Sequence, residues 1–321
     1  VVAIISGIYI TFGGQTAVIF TDLAQSFILL FAGILVFILG IKFVGGWSSF
    51  WNALTPEFKL PLAHFNHPPN FNFVGIFWQD GVAGSVGFLF MNQGLIMRFM
   101  ACKSVNEGRK AAAFNVLVLL PISTVVVSNA GWVGKAISVV TPQAWNTATK
   151  LDHIFTQVAY LITGSEVVFA FVIAAVAAAL MSTVDTLINA VAAVVINDVY
   201  RPIVKNRDDR HYLRVAMIVS ALATALGAVS TIFFNNFPTL YEAHGFFHST
   251  MTPPLVVAIF LGIFWRRYNT PAAVATFLGG AILMWIGSKY PQIFISPFDH
   301  GIEFNPERPY SYIRALYNTV V

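Results

Sequence analysis

The chain has 321 residues, of which 57% are apolar and only 10% charged, with 18 Lys and Arg against 14 Asp and Glu. Soluble domains carry about 25% charged residues, so this supply cannot clothe a water-facing surface on 35.2 kDa, and a mean hydropathy of +0.73 selects an all-α polytopic membrane protein. Disordered, collagen-like and disulfide-stapled classes are excluded, the last because Cys102 is the single cysteine.

A helix needs about 20 apolar residues to cross a hydrocarbon core about 30 Å thick. In chain order, a partial span runs from Val1 to Phe12 and stops at Gly13-Gly14. Seven complete spans follow, at 18–44, 81–101, 111–137, 166–196, 213–235, 246–265 and 271–288. The chain opens inside an apolar run and closes, at Tyr317-Asn318-Thr319, as another begins; this predicts a fragment, a single transmembrane domain over 1–321. Val1 has neither a Met nor the basic flank of a cleaved signal.

Charge gives the sides. Eleven of the 18 basic residues fall in three patches: Arg98, Lys103, Arg109 and Lys110; Arg201, Lys205, Arg207, Arg210 and Arg214; Arg266 and Arg267. A net charge of +4 invites a nucleic-acid partner, but patches that punctuate apolar runs are cytoplasmic loops under the positive-inside rule. No nucleic-acid partner is expected. Placing the patches in the cytoplasm puts Gly13-Gly14 inside and 45–80, 138–165, 236–245 and the tail after Ser288 outside, in an integral plasma (inner) membrane. Segment 45–80 is aromatic-rich, with Trp47, Trp51, Phe58 and Trp78 among four prolines, and is expected to lie on the protein at the lipid interface. His64, His67, His244 and His248 lack a matching set of metal ligands and read as interface or cavity histidines.

Ionisable residues inside a span mark function. Asp22 lies near the inner start of span 18–44, and Asp185 lies in span 166–196; Arg98 closes span 81–101, from which it can snorkel to the inner interface. Ser182 is about midway along span 166–196, and Ala179, Ser182, Thr183 and Thr186 follow the spacing of one helical face, with Asp185 and Asn189 at its edge. Hard cations take several oxygen ligands; small residues and hydroxyls also let helices pack closely. Both readings fit that stripe. Gly131-Trp132-Val133-Gly134-Lys135 ends like a phosphate loop, but Asn129 stands where its first glycine is required. Without that loop, a Gly-x-Ser-x-Gly elbow or a His-Glu-x-x-His helix, neither a pump nor an enzyme is expected. Channel and intramembrane hydrolase rank below a secondary transporter.

Three motifs then resemble the sodium:solute symporter family. They are Gly13-Gly14-Gln15-Thr16-Ala17-Val18-Ile19-Phe20-Thr21-Asp22; Asn92-Gln93 with Arg98 and Ala101-Cys102-Lys103-Ser104; and Ala178-Ala179-Leu180-Met181-Ser182-Thr183 with Asn197-Asp198-Val199-Tyr200. Gly262-Ile263-Phe264-Trp265-Arg266-Arg267 is a fourth, weaker match. The resemblance implies a LeuT-like core of two inverted five-helix repeats, present in part. The partial span is then core helix four, 18–44 helix five, 81–265 the second repeat and 271–288 an added helix, with the first core helices and the C-terminal helices missing. It implies a sodium-coupled importer working by alternating access, with Na+ as coupling ion and a small organic solute (sugar, carboxylate or amino acid) as partner in a lipid bilayer. Proton coupling on the same fold, through Asp185 or Asp22, is the alternative. Carried over by motif, Ala179 (carbonyl), Ser182 and Thr183 bind sodium, Asp22 and Asp185 serve a second cation, and Ser85 and Phe88 face the substrate or its inner gate. Two residues depart from the family pattern: Met97 replaces a glutamine before Arg98, and Leu119 stands where a galactose-type member has a substrate-side lysine.

Overall fold

The computed structural model describes residues 2–60, 64–65, 73–87, 91–148, 151–234, 236–237, 239–241, 243–245, 252–298 and 317. The chain divides into two units, Val1–Lys59 with Arg98–Asn235, and Leu60–Met97 with Asn236–Val321. Among the described residues all regular structure is helical: α1 (Val2–Phe43), α2 (Trp47–Ala53), α3 (Gln93–Met100), α4 (Val105–Val140), α5 (Ile154–Thr163), α6 (Glu166–Ile203), α7 (Asp209–Phe234), α8 (Thr252–Phe264) and α9 (Thr270–Lys289). Five stretches are long and apolar enough to cross a membrane: Thr16–Phe43, α4, α6, α7 and α9.

The predicted spans 111–137, 166–196 and 271–288 lie within α4, α6 and α9, and 18–44 and 213–235 are covered by Thr16–Phe43 and α7 up to residues 43 and 234. Span 81–101 does not form a single helix. A π-helix covers Phe77–Gly87, Asn92 is non-helical, and α3 starts at Gln93, where the Asn92 side chain accepts from Leu95 N at 3.0 Å. Continuous apolar character is therefore not continuous helix, because a short polar side chain caps a new start. Of span 246–265 the structure describes 252–265, where α8 has 13 residues. The expected outer segment 138–165 also contains a helix. That helix, α5, ends at Gly164 (φ 58°, ψ 4°), the left-handed stop that glycine supplies.

The stop at Gly13-Gly14 is real, but it is a break within α1 rather than a loop. Gly14 has φ 58° and ψ −157°, which no helix accepts and no β-branched residue tolerates. The apolar run therefore changes direction at Gly14, and the second segment, Thr16–Phe43, spans alone.

In the first unit the long helices pack through missing side chains. Val126 and Val133 of α4 occupy the space where Gly33 and Gly40 of α1 would carry a Cβ. Both pairs are seven residues apart, so α1 and α4 run parallel. Asn129, the residue that spoils the phosphate-loop pattern, is 1% exposed between them and donates to Gly33 O at 2.8 Å. Beyond this seam Val36, Phe50, Val133, Ile137, Val158 and Val172 form the largest apolar core. In this unit α2 packs on α4, with Trp47 stacked on Trp51 and Phe37 edge-on to Phe50. Against α6 the order reverses: Phe31 meets Phe171, and Asp22 meets Ser182 at 2.5 Å, so these helices are antiparallel. α7 turns back along α6 through Tyr200 and His211, whose side chains meet at 3.0 Å. The start of Thr16–Phe43, the start of α4, the end of α6 and the start of α7 therefore share one end of the unit. Two basic patches lie at that end, as alternation from charge requires.

In the second unit α8 and α9 form a hairpin. Asn269 caps α9 by accepting from Ala272 N at 3.0 Å, Tyr268 donates to Thr276 Oγ1 at 2.8 Å, and Pro254 lies 3.0 Å from the Cβ position of Gly280.

Two outcomes follow from the seam and the shared ends. Gly40→Leu drives a side chain into Val133, and overpacking costs about 1–3 kcal/mol; the melting temperature of the purified protein should fall by several degrees. Gly131→Leu, on the same α4 but with open space around its Cβ position, should leave it unchanged. Equal losses at both would remove the seam from the argument. In a Cys102→Ser background, Asn206→Cys should be protected from an impermeant thiol reagent in intact cells and Asn146→Cys should react. The reverse pattern would invert the sides.

Candidate functional site

Asp22, Arg98, Ser182, Asp185 and Thr186 of the first unit gather at one place. Asp22 is six residues into Thr16–Phe43 and 7% exposed. Its Oδ1 accepts from Ser182 Oγ at 2.5 Å, and its Oδ2 forms an ion pair with Arg98 Nη2. The same guanidinium nitrogen donates to Thr186 Oγ1 at 2.5 Å. The Thr186 hydroxyl has one proton and several neighbours: Ser182 O at 2.9 Å, Asp22 Oδ2 at 3.4 Å and Asp185 Oδ1 at 3.5 Å. The carbonyl is nearest and takes the proton, leaving the hydroxyl lone pairs to Arg98. Asp185 is fully buried, and its Oδ2 accepts from the Tyr9 hydroxyl on the segment before the Gly14 break.

Arg98 therefore does not snorkel outward as expected; its side chain, 35% exposed, turns back onto Asp22. A carboxylate already removed from water is a stronger attraction than the interface for a cation within reach. The cluster holds two carboxylates and one guanidinium, and so carries one more negative than positive group when both acids are ionised.

The sequence-predicted sodium residues lie on α6 as expected, but not all on the packed face. Val172, Ala175, Asp185, Ile188 and Ala192 are buried and mark that face. Asp185, placed at the edge of the stripe by spacing, is thus at its centre. Ser182 is half-buried; Thr183 is exposed, with its hydroxyl 3.3 Å from Ala179 O in an ordinary back-bond. That bond uses the carbonyl and the hydroxyl that were both expected to face a cation. Asp22 and Asp185 are brought together, with the Thr186 hydroxyl 3.4 Å from one and 3.5 Å from the other. In the second unit Ser85 sits exposed on the π-helix and donates to Asp80 O at 2.7 Å. Asp80 also accepts from the Tyr241 hydroxyl at 2.9 Å and lies 3.8 Å from His244 Nε2, which gives that histidine a carboxylate neighbour. Phe88 lies outside the described residues.

Sequence reasoning missed Tyr9 and the inward role of Arg98, and placed Thr186 on the hydroxyl face without a partner. Thr186 carried a signal, since it shares a helical face with Ser182. Tyr9 carried none: its partner is 176 residues away.

Long apolar helices, packed through small residues around a buried ion-pair cluster, define a multi-pass integral membrane protein with its polar chemistry inside the bilayer. The chain belongs to the sodium:solute symporter family, whose profile matches residues 1–280. Relatives include a sodium/glucose cotransporter of Vibrio parahaemolyticus, 24% identical over 85% of this chain and 53% of its own. A sodium/sialic acid symporter of Aliivibrio fischeri is 25% identical over 88% and 56%, and an osmoregulated proline transporter of Bacillus subtilis 26% over 87% and 55%. The chain thus spans about half the length of the curated relatives it matches. A solved structure, a Na+-coupled sialic acid symporter in a substrate-bound outward-open state, superposes with a TM-score of 0.66 at 19% identity, over 99% of this chain and 64% of that one. The partial LeuT-like fold implied by the motifs is borne out.

The Arg98 pairing has a testable cost. Arg98→Ala leaves Asp22 buried without its counter-ion, and losing a hydrogen bond to a charged group costs about 1.5–3 kcal/mol. Thermal stability should fall clearly, and adding Asp22→Asn should restore most of it. A double variant no better than Arg98→Ala would show that the pair contributes nothing to the fold.

Proposed function

We propose that this chain forms part of a sodium-driven symporter that imports a small organic solute by alternating access. One observation carries the reading: on α6, Ser182 and Thr183 present two hydroxyls midway along a membrane-spanning helix, beside two buried carboxylates. Each hydroxyl keeps lone pairs beside the proton it gives to Asp22 or to Ala179 O, and a hard cation takes several such oxygens. The family supports the same ion, and the relatives named for glucose, sialic acid and proline support a small polar solute. Ala179, Ser182 and Thr183 would contribute their oxygens to sodium. Thr183 engages Ala179 O through its proton alone, so both oxygens keep lone pairs for a cation.

Asp22 and Asp185 have different parts in this reading. Arg98 already neutralises Asp22, and the uncompensated charge falls on Asp185, where a second cation gains most. Ser182 touches Asp22, so cation binding at Ser182 and the α1–α3–α6 ion pair are mechanically linked. Sodium would thereby favour one arrangement of these helices over another, and coupling of 1–3 kcal/mol is typical between such sites. Ser85 and Phe88, on the segment before α3, remain the proposed substrate-facing residues.

A specific observation favours a second reading. Asp185 is fully buried against a tyrosine hydroxyl, an environment that also suits a proton. The two readings separate in uptake at fixed pH: sodium coupling moves apparent solute affinity with sodium concentration, and proton coupling leaves it flat. The residue test is Ser182→Ala and Thr183→Ala in the native transporter at matched surface levels. Each substitution removes one ligand, worth about 1.5–3 kcal/mol, so sodium half-saturation should rise roughly ten- to a hundredfold. Solute affinity at saturating sodium should change much less. Unchanged sodium dependence with well-folded protein would leave these hydroxyls a packing role only.

A further inference from the structure

The first unit has a cavity that this mechanism does not use. It lies between the end of α6 at Ile203 and the start of α7 at Asp209, where two membrane-spanning helices stop being apolar. Its volume is about 450 Å³, its apolar wall is Ile196, Leu213 and Ala216, and Arg201, Arg210 and Tyr212 complete it with Asp209. Both basic and apolar surfaces therefore line one groove at the level of the bilayer surface.

The basic part is held in place. Tyr212 is 8% exposed and donates to Val204 O at 2.7 Å, which fixes its ring. The Arg201 guanidinium lies over that ring, 4.6 Å from its centroid, and 3.5 Å from Asp209 Oδ1. Asp209 is 99% exposed, so this ion pair is formed in water and is easily exchanged. Arg210 has no ion-pair partner among the described residues. Residues 198–214 hold five basic and three acidic side chains. A phosphate in the groove gains Arg210 outright and Arg201 in exchange for a solvated carboxylate.

We propose that this groove binds one anionic glycerophospholipid of the inner leaflet, with its phosphate between Arg201 and Arg210 and an acyl chain along Ile196, Leu213 and Ala216. Charge complementarity sets the headgroup. The apolar wall, opening beside two spans, sets the source as lipid rather than free phosphate. Basic residues near an anionic leaflet attract it even without a site; the held guanidinium and the shaped wall add selectivity for one bound molecule. The inference is independent of which ion or solute the protein carries.

The experiment titrates the delipidated native transporter in neutral detergent with phosphatidylglycerol, phosphatidylcholine or glycerol phosphate, counting bound molecules by native mass spectrometry. One phosphatidylglycerol should bind, at least about tenfold more tightly than phosphatidylcholine. Glycerol phosphate should not compete. The pair Arg201→Gln with Arg210→Gln should weaken that binding about tenfold or more, whereas Arg266→Gln with Arg267→Gln, an equal loss of charge elsewhere, should preserve it. Ala216→Trp fills the groove without changing charge and should also expel the lipid, which keeps the proposal testable if the arginine pair fails to fold. Equal binding of the two lipids, competition by glycerol phosphate, equal losses in both arginine pairs, or full binding in Ala216→Trp would each overturn it.

Discussion

The charged groups buried in the first unit depend on one constraint: a carboxylate on a membrane-spanning helix must have a partner. Asp22 finds Arg98, and with it Ser182 and Thr186. Water supplies the partner in a soluble protein; in a bilayer another helix must. The pair therefore fixes more than charge. It brings Arg98 to Asp22 of α1 and holds both against Ser182 and Thr186 of α6. Such pairs are weak sources of net stability, since desolvation offsets most of the attraction. What this one supplies is register: Asp22 of α1 is held opposite Ser182 and Thr186 of α6.

Apolar packing does the complementary task. Hydrocarbon does not push apolar helices together, so close approach and dispersion must hold them. Gly33 and Gly40 allow Val126 and Val133 to enter the surface of α1, and the buried Asn129 bonds the two backbones across the same seam. This rigid parallel pair carries α2 and α5 on its outer end. The segment before Gly14 is a separate piece joined through one left-handed residue. Tyr9, on that piece, reaches Asp185, so the break in α1 and the second carboxylate are connected by a single hydrogen bond. Motion at the break would alter the environment of that carboxylate directly.

The groove between α6 and α7 shows the same economy of side chains at the membrane surface. Basic residues that declare the sides of the protein are also positioned, by Tyr212 and its bond to Val204, to recognise what the adjacent leaflet contains. A residue can serve topology by its charge and recognition by its geometry.

Much of the architecture follows from local chemistry. Runs of about 20 apolar residues have few options in a bilayer, so five spans, their class and their alternation could be read along the chain, as could the interruption at two adjacent glycines. Family motifs placed Asp22 and Ser182, and the structure puts them 2.5 Å apart. Span 81–101 misled because hydropathy averages over a window and cannot register one capping Asn92. Arg98 misled for a different reason: a basic residue at a span end has two favourable places, the interface and a buried carboxylate, and local sequence contains only the first. Asp185 moved from the edge of a stripe to its centre, and Tyr9 and Asp185 became partners, because helix–helix contacts join residues far apart in the chain. The sequence by itself determined which segments are apolar enough to cross a membrane and how they alternate along the chain. The tertiary structure decided which buried charges meet, since burial makes pairing obligatory and leaves the choice of partner to packing.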